Sequence, residues 1–147
     1  MKKILLVSML IVSFFAFGQK VKLKDGSVSI DKVEVYKYED DGVTTISTLS
    51  NKELFVIKPS YYEVPNPAYG SIGCPANNCP KMTRRAIFTV KFLNNGKELY
   101  TDISIKDLIK NIYKAGIFDS EGKTDEGKED LFIDKYSNED VKLRLLN

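Results

Sequence analysis

The sequence predicts an α+β fold: an antiparallel meander of about seven or eight strands, then two short helices near the C-terminus. Three observations predict it. Two hairpin signals, Asp25-Gly26 and Asn95-Gly96, sit between runs that alternate apolar and polar residues. Turn residues recur about every eight to twelve positions through the first half, the spacing of a meander. The apolar period switches from that of a strand to that of a helix only after Ser104.

The first segment stands apart from the fold. Lys2 and Lys3 precede an apolar run, Ile4 to Phe17, interrupted only by Ser8 and Ser13. A membrane-spanning helix needs about 20 such residues. The run fits the core of a secretory signal, and Ala16 and Gly18 supply the small residues of a cleavage site before Gln19. Residues 1–18 are therefore expected to be removed, leaving one domain over 19–147, exported to a periplasm or secreted.

Leaving out 1–18 also corrects the charge. The whole chain carries 22 Lys+Arg and 20 Asp+Glu. Without Lys2 and Lys3 the two signs balance. A neutral chain has no bulk drive toward phosphate backbones or anionic lipid, so neither nucleic acid nor stable membrane insertion is expected. The strand-rich part is net basic and the segment 116–147 net acidic.

Each strand has its own signal. Pairing about Asp25-Gly26 sets Leu23 opposite Val28 and Val21 opposite Ile30, with all four on one face. The next strand is expected over Lys32–Glu39 with Val33 and Val35 inward. Asp41-Gly42 turns it into Val43–Leu49. Ser50-Asn51 leads to Glu53–Lys58, where Leu54-Phe55-Val56-Ile57 suggests burial on both faces.

Residues 59–83 hold all five prolines and both cysteines. Proline lacks the ladder's donor, so this stretch reads as a long irregular loop. Asn95-Gly96 then joins Arg85–Leu93 to Lys97–Ile103, with Phe92 expected opposite Leu99, Val90 opposite Thr101 and Phe88 opposite Ile103.

Ser104 and Asp107 begin the first helix, and Ile105, Leu108, Ile109 and Ile112 form its apolar stripe. Gly116 suits a left-handed stop, with Ile117 as its apolar partner. After the polar loop Asp119–Gly122, Thr124 is expected to cap a second helix over Asp125–Tyr136, with Leu131, Phe132 and Tyr136 inward. Val141, Leu143 and Leu145 alternate with Lys142 and Arg144, which suggests a short final strand.

The chain has no His. That excludes Ser-His-Asp and Cys-His nucleophile systems and His-ligated zinc. Ser71, in Tyr-Gly-Ser-Ile-Gly, misses the nucleophile-elbow spacing by one residue. No phosphate-cradling glycine motif occurs, and no cofactor is expected. Cys74 and Cys79 are expected to form a structural disulfide, the default pairing in an exported chain. Asp119, Glu121 and Asp125 invite a calcium reading. The EF-hand template fails there, because Lys123 and Thr124 fall where a ligand and a glycine are required. A capped, solvated turn explains the same residues.

The best functional candidates lie in the proline-rich loop. Tyr61, Tyr62 and Tyr69, with Arg84 and Arg85 beyond, are of the residue types enriched at binding hot spots. They could equally pack the loop onto the sheet. The chain resembles small exported proteins of diderm bacteria, which is a class and not a function. The leading expectation is a non-enzymatic module that binds a protein or an envelope component. The alternatives are a β-barrel-like carrier of a lipid or other small molecule, and a hydrolase that uses carboxylates alone.

Overall fold

The computed structural model describes residues 19–146, so the expected signal segment lies outside the described residues. Seven strands pair in strict chain order. They are β1 (Val21–Lys24), β2 (Ser27–Ile30), β3 (Val33–Asp40), β4 (Thr44–Ser47), β5 (Glu53–Pro65), β6 (Met82–Phe92) and β7 (Glu98–Thr101). Every neighbouring pair is antiparallel. Three helices follow: α1 (Ile105–Ala115), α2 (Glu126–Tyr136) and α3 (Glu139–Leu146). This is the α+β meander the sequence predicts. Its sheet is open, with β1 and β7 at the two edges. Among the described residues no ladder closes it into a barrel.

The two hairpin signals end differently. At Asp25-Gly26 both residues have positive φ, 53° and 80°, as a type I′ turn requires. Val21↔Ile30 and Leu23↔Val28 pair as expected. At Asn95-Gly96 only Gly96 has positive φ, so that turn cannot form. A four-residue loop forms instead: the Phe92 N–H donates to Lys97 O, and the Gly96 N–H to Phe92 O. The register therefore moves by two, giving Val90↔Leu99 and Phe88↔Thr101. A shift of two keeps every side chain on its expected face.

The core lies between the sheet and the first two helices. Val28, Tyr36, Ile46, Phe55, Ile57, Val90, Phe92 and Leu99 meet Leu108, Ile109 and Ile112 of α1 and Phe132 of α2. Burying each such side chain is worth about 1.5–3 kcal/mol. The Phe55 ring stacks on Phe118 with centroids 5.9 Å apart. Tyr36 takes the place expected of Val33, which is 63% exposed. A register shift between Val28 and Ser29 inserts one extra residue into β3 and so brings Tyr36 opposite Val28, while Val35 packs against the core as expected. Burial, then the neighbouring Tyr113, pushes the Tyr36 hydroxyl up to about 12.

The helix starts follow local chemistry. The Ser104 Oγ accepts from the Asp107 N–H at 3.2 Å, and Gly116 closes α1 at φ 62°. Asp125, not Thr124, caps α2: its carboxylate accepts from the Lys128 N–H at 3.1 Å, while Thr124 is bridged to Phe118. Leu131, expected inward, is 71% exposed; Phe132 is buried beside it.

The expected final strand is the helix α3. Its start is capped by the Asn138 Oδ1, which accepts from the N–H groups of Asp140 and Val141. Val141 and Leu145 are spaced i, i+4 and so share a helix face as readily as a strand face. Val141 is buried, whereas Leu143 is exposed. The helix lies on the sheet face opposite the main core. Arg144 sits over the Tyr62 ring at 5.0 Å and Lys142 over the Tyr100 ring at 5.8 Å. Their pairing with Arg85 and Thr89 puts both rings on the face that carries Ile87. Ile87 is 1% exposed although it is not part of the main core cluster.

Candidate functional site

The stretch 59–83, expected to be a loop, is strand at both ends, over 59–65 and 82–83, and irregular over 66–81 between them. β4 stops opposite Ile57 and β7 stops opposite Phe88, yet β5 and β6 continue as a pair to Pro65↔Met82. This two-stranded arm is about 20 Å long at ~3.3 Å per residue. Tyr61, Tyr62, Arg84 and Arg85 therefore lie on strands, paired as Tyr61↔Ala86, Tyr62↔Arg85 and Glu63↔Arg84. Of the five named candidates only Tyr69 is in an irregular loop.

Two prolines sit inside β5 without breaking it, for a geometric reason. The Leu93 N–H donates to Leu54 O, so even-numbered positions of β5 point their backbone groups at β6. Odd-numbered positions point the other way. Pro59 and Pro65 are both odd, and both lie beyond the end of β4. Their missing donors cost the ladder nothing, and their rings block that edge to any further strand.

The tip spans residues 66–81, and its only charged residue is Lys81. Cys74 and Cys79 are disulfide-bonded, with Cα atoms 5.2 Å apart. Asn66 organises the loop. Its side-chain N–H groups reach Pro80 O at 3.0 Å and both sulfurs at 3.6 and 3.7 Å, and its Oδ1 accepts from the Ala68 N–H. Four tight turns follow one another, closed by Tyr69 N–H to Asn66 O, Ser71 N–H to Ala68 O, Cys74 N–H to Ser71 O and Asn78 N–H to Pro75 O. The turn from Ser71 to Cys74 holds Ile72 at its corner, fully exposed.

The candidate side chains divide by partner. Tyr62 lies under Arg144 and is half-buried; Tyr69 is half-buried, with Lys81 at 6.0 Å from its ring. Both serve packing. Tyr61, 64% exposed, remains outward, as do Arg84 and Arg85. Sequence reasoning passed over Ile72. Its signal was an isolated apolar residue in a turn, with no alternating neighbour to pair with.

The acidic stretch is not assembled into a metal site. The Asp119 Oδ1 accepts from the N–H groups of Glu121 and Lys123, and Asp125 caps α2. The carbonyl of Gly122 accepts from the Lys52 ammonium at 2.8 Å. Only glycine fits there, since a Cβ would lie 2.8 Å from Leu54 and 2.9 Å from Thr48. Among the described residues no group of three or more His, Cys, Asp or Glu side chains could hold a metal ion. Two carboxyls are shifted downward. Asp107 is held low chiefly by its hydrogen bond to Lys110, then by Ser104; Asp125 chiefly by the backbone of Lys128. A general acid needs the opposite shift.

Glu129, on α2, is fully buried. Its Oε1 accepts from the Asn95 side chain at 2.6 Å, with the Lys97 ammonium at 3.8 Å. Its Oε2 has no partner. The group ties α2 to the β6–β7 loop. Among the described residues no helix is long and apolar enough to cross a membrane. No family model, curated protein or solved structure matches the chain.

Proposed function

We propose that the protein is an exported, non-enzymatic binding module that engages a protein or another envelope component through its β5–β6 arm. One observation carries this reading. The tip is built to hold a shape, by a disulfide, the Asn66 hydrogen bonds and four turns, and that shape presents Ile72 fully to solvent. An apolar side chain carried on a backbone that is already fixed costs less to order when a partner covers it. A nearly uncharged tip also sheds little hydration on contact. Export accords with the disulfide and with the basic and apolar start of the chain.

The test is crosslinking capture from the native envelope with tagged mature protein, comparing the native tip with Ile72→Asp. An exposed site tolerates the change within about 0.5 kcal/mol, so the melting temperature should hold while capture is lost. Capture that survives Ile72→Asp and Tyr61→Ala together rejects the arm as the binding surface.

A further inference from the structure

This inference rests on the reading of the arm as a binding surface and specifies what the arm takes. We propose that the outer edge of β6, along Met82–Ala86, receives an extended acidic segment of a partner protein as an added strand. The backbone geometry comes first. The Phe92 N–H donates toward β7, to Lys97 O, so even-numbered positions of β6 face that side. β7 ends opposite Phe88. The backbone donors and acceptors of Met82, Arg84 and Ala86 therefore point outward along a strand edge with no neighbouring strand. Such a row is a template for one more strand.

The two edges of the arm are unlike. The β5 edge is closed by Pro59 and Pro65, whose missing donors lie on that side. The β6 edge has no proline between Met82 and Phe92. An arm guarded on one side alone accepts a strand from the other.

Charge selects the occupant. Arg84 and Arg85 are adjacent, so they point to opposite faces, and both are exposed. A strand beside them meets a guanidinium on each face, and Lys81 adds a third cation at the end. Opposite charges in cross-strand positions stabilise a pair, and like charges directly opposed destabilise it. A second copy of this chain is disfavoured on that ground. Antiparallel self-pairing centred on Arg84 sets Arg84 against Arg84, and centring between the two arginines sets Arg84 against Arg85. An extended segment rich in Asp and Glu meets neither obstacle.

Ala86→Pro tests the edge specifically. Its N–H points away from β5, so the substitution removes an outward donor and leaves the arm's own ladder intact, as Pro59 does on the other side. The probe is an array of extended decapeptides in acid-rich and lysine-rich versions, incubated with the oxidised mature protein. Acid-rich peptides should be retained at least about tenfold better than their lysine-rich counterparts, a preference of about 1.4 kcal/mol. Ala86→Pro should reduce that retention about tenfold, and Arg84→Glu with Arg85→Glu should reverse the preference. Equal retention of both peptide classes, no retention of either, or full retention by a folded Ala86→Pro variant overturns the proposal. Loss of envelope capture in Ile72→Asp alongside unchanged capture in Ala86→Pro would reject edge pairing and leave the arm reading standing. Capture unchanged in both would reject the two together.

Discussion

Glu129 shows how much one side chain can hold in place. It is a carboxylate with no exposure, reached by one amide and one ammonium, on a helix whose apolar face is narrow. Removing it leaves the Asn95 amide without its acceptor and opens a hole beneath the β6–β7 loop. Glu129→Ala should cost about 2–3 kcal/mol in denaturant unfolding, the penalty of an unmade buried hydrogen bond plus lost packing. Glu129→Gln keeps an acceptor and should cost less. Equal effects would mean that volume, not the bond, matters there. None of this was legible in the sequence. Glu129 sits among five other acidic residues in a run that reads as solvated, and only the placement of Asn95 by its hairpin distinguishes it. Ile72 was missed for the converse reason: a lone apolar residue has no period.

At the scale of elements, local rules held where one short signal decided the outcome. The Asp25-Gly26 hairpin has its expected register, and Ser104 and Gly116 bound α1 as read. They failed where two signals shared the same residues. Val141 and Leu145 fit both a strand and a helix, and the Asn138 cap decides for the helix. Prolines suggested a loop from residue 59, but the direction of each missing donor depends on where β4 ends, which is a tertiary fact. The disulfide belongs to this scale as well. It spans five positions, so it restrains the tip and not the sheet. Reduction should speed amide exchange in residues 66–81 and open Lys81 to trypsin, while exchange in Phe55, Val90 and Phe92 stays slow. Uniformly faster exchange would show the clasp supporting the whole domain instead.

For the whole molecule, acid should weaken folding at the helix starts. Asp107 and Asp125 both bind protons less readily in the folded chain than in the unfolded one. Their stabilisation is complete above the unfolded carboxyl value, about 4, and is lost as pH falls through their lower folded values. The melting temperature should therefore drop as the pH falls below the unfolded carboxyl value, about 4. Asp107→Asn with Asp125→Asn should flatten that drop while keeping cap acceptors. An unchanged pH profile in the double variant would assign acid sensitivity to other carboxyls.

The strict chain order of the strands has a kinetic consequence. Each strand pairs with the one just before it, so the sheet can grow hairpin by hairpin as the chain emerges, with little loop entropy to overcome at any step. One face nevertheless stays uncovered until α1 arrives, because Val21 and Leu23 in the first hairpin wait for a helix made some eighty residues later, a span on the order of most of the domain. Helix docking, not strand pairing, is then the step that commits the chain to its native state, and slowing it would prolong exposure of Phe55, Val90 and Phe92 to aggregation.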